Sequence, residues 1–272
     1  MHKLAADSLV GVAETLLIPL HHRAENSRAG DGGFKDEMAE RFHDAIEYDW
    51  DKFRGRLEMR PAMAARTGIL DEHIKAFIAG NPAGLIVNLG CGLDTRFHRL
   101  DNGTIVWVEI DLPEVISLRR KLGEPQSPRH LLLARSVFDE AWASDLRQFA
   151  GWPVLLVAEG LLPYFTEEQH RKIFGYLAEH FPGQQMLFQT SAPSLTVRLV
   201  KASDLSRLRT AVQLQWGLED SAQVSAIDPR VHLVDEFPLL AGREHELPQE
   251  LRERLSPAQL LKLARIVHVR FD

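Results

Sequence analysis

Apolar residues recur at helical spacing over the first sixty positions, at Leu9, Val12, Ala13, Leu16 and Leu17 and again at Met38, Phe42, Ala45 and Ile46. The spacing predicts helices from Ala6 to about Arg60, broken at Pro61, with the polar, glycine-containing stretch Arg23 to Gly33 read as a loop. A further amphipathic helix is predicted from Ala62 to Ala79. Ile69, Ile74, Phe77 and Ile78 share its apolar face, Asp71, Glu72 and Lys75 face water, and Asn81-Pro82 ends it.

At Leu85 the period changes. Leu-Ile-Val-Asn-Leu (85–89) is a short, nearly all-apolar run, the pattern of a strand buried on both faces. Similar runs follow at 105–110, 130–133, 154–158 and 185–189, separated by helix-like segments at about 94–101, 112–122, 141–149 and 166–180. Thr166 and Gln169 open the last of these in capping-box spacing. Strands alternating with helices in this way predict an α/β chain with a Rossmann-like, doubly wound, mostly parallel sheet. Past Ser191 the alternation lapses. Residues 194 to about 230 read as helix and loop, 231–234 as a strand, and Ser256, Pro257 and Gln259 as a helix start. Ile266 to Phe271 alternates as a closing strand, which leaves 191–250 as an insertion above the sheet.

Composition narrows the partners. The 272 residues are 45% hydrophobic and 26% charged, which excludes a disordered or fibrous chain. Acidic residues number 38 against 32 Lys plus Arg, a formal charge of −6, so no basic excess exists to neutralise a phosphate backbone and nucleic acid is not an expected partner. Met1 to Leu20 carries Asp7, Glu14 and Pro19 and lacks the apolar run of a secretory signal. No stretch reaches the ~18 apolar residues of a membrane span. Cys91 is the single cysteine, and none of the 12 histidines joins it in zinc-ligand spacing. No metal or disulfide is therefore expected, and a reducing cytoplasm fits.

The candidate chemistry starts at Asn-Leu-Gly-Cys-Gly-Leu-Asp-Thr-Arg (88–96), between the first buried strand and a helix. Gly90 and Gly92 allow a sharp turn and a close approach of backbone to ligand. The second strand ends in Glu-Ile-Asp (109–111), which places Asp111 about 20 residues after the turn, where a carboxylate can accept both hydroxyls of an adenosine ribose. A nicotinamide dinucleotide would want a third glycine where Thr95 stands, and Asp94 would oppose its pyrophosphate. S-adenosylmethionine, a nucleoside with a sulfonium and an amino acid tail but no phosphate, meets neither conflict. Taken singly, each residue also has a plainer reading: Asp111 as a helix cap, Arg66 as a solvated helix charge, Tyr164 as core packing, Cys91 as a small residue in a tight turn.

In chain order, Arg66, Val-Asn-Leu-Gly-Cys-Gly-Leu-Asp-Thr-Arg (87–96), Val-Glu-Ile-Asp-Leu-Pro-Glu-Val-Ile (108–116) and Ala-Glu-Gly-Leu-Leu-Pro-Tyr-Phe (158–165) resemble the leucine carboxyl methyltransferase superfamily. The segments 15–24, 45–53 and 136–142 are most similar to its bacterial branch, typified by the tetracenomycin polyketide O-methyltransferase. The resemblance implies a class I methyltransferase domain over 81–272, carrying the insertion as a substrate lid, behind an N-terminal helical extension over 1–80. It implies that Gly90 and Gly92 lie against the methionine part of the cofactor, that Asp111 holds the ribose with Leu112 beside it, and that Arg66 pairs with the cofactor carboxylate, joined by Arg23. Ser136, Val137 and Asp139 are implied at the adenine, Glu159 at the ammonium group and Tyr164 beside the transferred methyl. The implied reaction is in-line methyl transfer to an oxygen of a small acidic or phenolic, polyketide-like metabolite. A carboxylic acid with a pKa of about 4 is ionised at neutral pH and needs no base, only positioning. A binding module without turnover and a nicotinamide oxidoreductase are the alternatives.

Overall fold

The computed structural model describes residues 3–6, 9–30, 34–53, 60–195, 204–209, 211–246 and 249–272. Seven strands form one sheet: β1 (Leu85–Leu89), β2 (Val106–Asp111), β3 (His130–Ala134), β4 (Val154–Ala158), β5 (Gln185–Thr190), β6 (Val231–Pro238) and β7 (Arg265–Phe271). Their spatial order is β3-β2-β1-β4-β5-β7-β6. The first five run parallel, and β7 enters antiparallel between β5 and β6. β1 and β4 are buried along their whole length, as their unbroken apolar runs require of strands covered by helices on both faces.

The helices used below are α1 (Leu17–Ala29), α2 (Glu37–Ala45), α3 (Arg60–Gly80), α4 (Arg96–Leu100), α5 (Pro113–Lys121), α6 (Ala141–Asp145), α7 (Glu167–His180) and α8 (Pro257–Leu263), and further short helices at Val224–Ile227 and Gln249–Arg254 lie between α7 and α8. Both expected capping boxes form, Thr166 with Gln169 on α7 and Ser256 with Gln259 on α8. One face of the sheet packs Val87, Leu156, Met186 and Phe188 against Phe174 and Leu177 of α7. The other packs Ile86, Trp107, Val157 and Leu187 against Leu70, Ile74 and Ile78 of α3.

Several expectations change. The stretch read as a loop from Arg23 is helical as far as Ala29, where Gly30 donates its amide to the carbonyls of Asn26 and Ser27. Its polar residues are satisfied on the helix: Arg28 pairs with Glu25 at 2.8 Å, and the Ser27 hydroxyl accepts the Asp36 amide at 2.8 Å. Residues 31–33 of that stretch lie outside the described residues. Helix does not continue from Ala6 to Arg60: Gly11–Leu16 is a 3-10 turn, and Ile46–Glu47 pairs in parallel with Leu4–Ala5. The insertion expected over 191–250 is not one unit, because 231–238 forms β6 at the edge of the sheet, with a bulge between Leu233 and Asp235. Among the described residues no helix is long and apolar enough to cross a membrane.

Candidate active site

The strand order reverses between β1 and β4, so the loops leaving their carboxyl ends diverge and open a crevice. A cavity of about 540 Å³ occupies it. Its floor is the loop after β1, and its sides come from the segments following β2, β3, β4 and β5. The N-terminal extension supplies a further wall through Val12, Thr15, Leu16, Pro19, His22 and Arg23.

The backbone after β1 turns at Gly90 and Gly92, with φ of 63° and 52°. Only glycine adopts such angles readily. A Cβ on Gly90 would come within 2.6 Å of Leu161 Cδ1, so the loop after β4 lies directly on the turn. The amides of Gly90 and Cys91 both donate to the carbonyl of Ile110, at 2.8 and 3.2 Å, and lock the turn to β2. Asp111 completes the lock, accepting the Gly92 amide on Oδ2 and the Leu112 amide on Oδ1, each at 2.7 Å. Helix α5 begins without a side-chain cap, so Asp111 joins two loops at the cavity and does not cap α5. Burial raises its pKa, and the two backbone donors hold it down in part.

Beneath the turn lies a layer of buried charge. Asn88, the polar residue in an otherwise apolar strand, donates to Asp94 and to Glu109, both at 3.0 Å. Arg96 is fully buried and reaches Asp71 at 2.8 Å, Asp94 at 2.6 Å and Glu159. Burial pushes the Asp94 carboxyl up, but Arg96, Arg23 and Arg99 outweigh it and hold the group ionised well below the usual carboxylate range. Arg99 pairs with Asp71 and with Asp36, 2.9 Å away, and Asp36 also accepts the Thr95 hydroxyl at 2.6 Å and the Ala39 amide of α2 at 2.9 Å. Thr95 therefore stands where a dinucleotide fold would carry glycine, and an ionised Asp94 stands next to it.

Arg66 is buried on α3, not solvated. Its guanidinium lies 2.7 Å from Glu159 and donates to Gln189 Oε1 at 2.9 Å. Burial lowers its pKa and Glu159 opposes that shift. The two residues expected at opposite ends of the cofactor's zwitterion thus pair with each other, and both line the cavity. Arg23 also lines it, donating to the Leu93 carbonyl at 2.7 Å. Tyr164 sits in a 3-10 turn, Leu162–Tyr164, with its side chain on the cavity wall. Burial raises the pKa of its hydroxyl, which stays protonated at neutral pH. Leu112, Ser136 and Val137 line the wall as well.

Asp139 does not. Its carboxylate accepts the Ala141 amide at the start of α6, at 3.0 Å, and pairs with Arg135 at 3.0 Å, so it is committed outside the cavity. Asp71, expected to face water, is instead buried against Arg96 and Arg99, and sequence pattern gave no site role to it, to Arg96, to Asp36 or to Gln189. The usable signals were a polar Asn88 inside an apolar run and a glutamine next to the last residue of β5. Away from the cavity, His98, Glu124 and His130 converge closely enough to suggest a metal site. Arg119 already occupies both Glu124 oxygens, at 2.6 and 2.9 Å, which leaves that cluster an ion-pair network.

A sheet of this order with an antiparallel β7, a glycine turn after β1 and an acid ending β2 is the fold and cofactor cradle of a class I S-adenosylmethionine-dependent methyltransferase. Residues 17–178 match the leucine carboxyl methyltransferase family, and the chain belongs to it. It is 31% identical to the tetracenomycin polyketide synthesis O-methyltransferase of Streptomyces glaucescens, over 85% of this chain and 84% of that one. In fold it is similar to a crystal structure of a Thermobifida fusca protein, with TM-score 0.57 and 16% identity over 92% of this chain and 94% of that one. It is also similar to magnesium protoporphyrin IX methyltransferase from Synechocystis PCC 6803, solved with bound S-adenosylhomocysteine. That match has TM-score 0.51 and 12% identity over 92% of this chain and 100% of the other.

Proposed function

We propose that the chain transfers the methyl group of S-adenosylmethionine to an anionic oxygen, a carboxylate or a phenolate, on a small and largely apolar, polyketide-like metabolite. The charge balance of the cavity carries the proposal. Its lining holds Arg23, Arg66 and Arg135 against Asp94, Asp111 and Glu159, and most of the remaining wall is apolar. The cofactor's amino acid tail is neutral as a zwitterion, so its sulfonium brings one uncompensated positive charge. An oxygen anion offsets it. In the in-line displacement the oxygen lone pair forms the O–CH3 bond while the C–S electrons return to sulfur, and both charges vanish together. A low-dielectric site favours a step that consumes charge. The N-terminal wall covers one side of the cavity, and holding the reactants in near-attack geometry contributes on the order of 7–11 kcal/mol.

A phenol must first lose its proton, and His22 of α1 is the histidine in the cavity wall. The test incubates the protein with methyl-labelled S-adenosylmethionine and a panel of aromatic acids and phenols, read by mass spectrometry. Labelled ester or aryl ether is expected. Cofactor binding with no labelled oxygen product across the panel would instead favour a binding module. Labelled aryl ether that disappears in His22→Gln selects the phenol, and labelled ester formed equally by wild type and variant selects the carboxylate.

A further inference from the structure

β5 sends its side chains alternately to the two faces of the sheet, Met186 and Phe188 into one core and Leu187 into the core under α3. Gln189 follows Leu187 on the α3 face, at the end of the strand, where the cavity begins. Its Oε1 accepts Arg66 Nη1 at 2.9 Å. Because a guanidinium can only donate, this bond fixes the orientation of the amide, with oxygen toward Arg66 and nitrogen away from it. Among the described residues, no hydrogen bond is made by Gln189 Nε2, and the side chain is half-buried on the cavity wall. A Cβ built on Gly160 would stand 3.5 Å from Arg66 and 3.8 Å from Gln189, ordinary contact distances, so the loop after β4 lies beside this pair without crowding it. Thr190 pairs with Arg265 and the Leu239 amide donates to the Ala264 carbonyl, so the cavity-lining Leu239 and Leu240 after β6 and Leu263 and Ala264 before β7, with Met63 of α3, form an apolar arm of the cavity beside the end of β5.

Resting on the methyl-transfer reading of this cavity, we infer that the arm is the acceptor subsite and that the Gln189 amide N–H groups orient the acceptor's anionic oxygen. The ligand class is a flat, apolar monoanion. A neutral donor suits this task better than a cation: an ammonium or guanidinium would hold the oxygen lone pairs tightly and blunt their attack, whereas an amide fixes direction at lower cost to nucleophilicity. Arg66 acts through the amide, polarising it while its own charge is matched by Glu159 at 2.7 Å. The same donors disfavour an amine acceptor, whose N–H groups would meet them donor to donor.

The test uses the whole protein loaded with S-adenosylhomocysteine, with 2-naphthoate and neutral naphthalene-2-carboxamide as calorimetric probes. Gln189→Glu keeps the side chain's size and its acceptor for Arg66 but exchanges the two N–H donors for negative charge. Its affinity for S-adenosylhomocysteine is expected within about threefold of wild type, and its affinity for 2-naphthoate at least about tenfold weaker, with the carboxamide changed by less than about threefold. Gln189→Met, uncharged and without donors, should show the same selective loss and serves if the glutamate variant does not fold. Equal 2-naphthoate affinity in variant and wild type would overturn the inference. So would the absence of saturable 2-naphthoate binding to a wild-type protein that binds S-adenosylhomocysteine, or loss of both ligands together in either variant. Failure of wild type to bind S-adenosylhomocysteine at all would strike the cofactor reading instead, and is seen separately.

Discussion

Glu14, between the cavity-lining Ala13 and Thr15, meets Arg209 from far along the chain. The fully buried Glu14 carboxylate accepts Arg209 Nε at 3.1 Å, the Arg209 amide at 3.0 Å and the Tyr48 hydroxyl at 2.7 Å. Arg209 also donates to the Ala6 carbonyl at 2.9 Å. The contact ties the N-terminal wall to the segment after β5. Burial raises the Glu14 pKa, yet Tyr48 and Arg209 lower it further, so the net shift is downward. A depressed carboxylate stabilises the fold above its unfolded pKa of about 4.3 and loses that contribution as pH falls through the folded value. Glu14→Gln should cost about 1–3 kcal/mol at pH 7, discounted from a fully buried pair because Arg209 is about one-third exposed. Denaturant midpoints at pH 7 and below pH 4 measure this: the gap between variant and wild type should narrow in acid.

Asp111 stabilises the glycine turn and faces the expected ribose at once. Asp111→Ala should weaken S-adenosylhomocysteine binding by about 10- to 100-fold, the range for losing charge-assisted hydrogen bonds. Titration calorimetry reads the change, and unaltered affinity would refute the ribose assignment.

Gly90→Ala tests the turn itself. Leu161 is the end of a flexible side chain and can move from the 2.6 Å encounter, but a φ of 63° remains unfavourable for alanine. The expected loss is about 1–3 kcal/mol of stability, and Leu161→Ala in the same chain should recover little of it. Thermal unfolding of the single and double variants separates the steric part from the backbone part.

Arg96→Met should be the most damaging of these changes, at about 3–5 kcal/mol, because it strands Asp71, Asp94 and Glu159 without their shared cation. Near-ultraviolet circular dichroism against denaturant would show it. A loss below about 1 kcal/mol would mean that the layer relaxes or admits water.

Much of the sheet was legible because β1 and β4 are buried on both faces, and that condition writes an unbroken apolar run into the chain. The boxes at Thr166 and Ser256 were legible for a similar reason, since a cap is a local contact. Helix α1 was not: its polar side chains look solvated in one dimension and are satisfied within the helix, by α2 and by the Leu93 carbonyl. The length of β6 was hidden by exposed residues on both sides of its bulge, which break the alternation. In the site, Gly90, Gly92 and Asp111 could be found because one turn and one strand end place them. Arg96 could not, since its partners at 71, 94 and 159 come from three separate segments. Asp139 shows the opposite failure, a residue at the right place in the chain whose carboxylate is claimed by its immediate neighbours.

Asp36 gives the first eighty residues a different standing from that of an appendage. One carboxylate starts α2, holds Thr95 in the glycine loop on the cavity floor and anchors Arg99. An excised catalytic half beginning at the first sheet strand would therefore keep its glycines and its acid, yet inherit a cradle with its keystone gone.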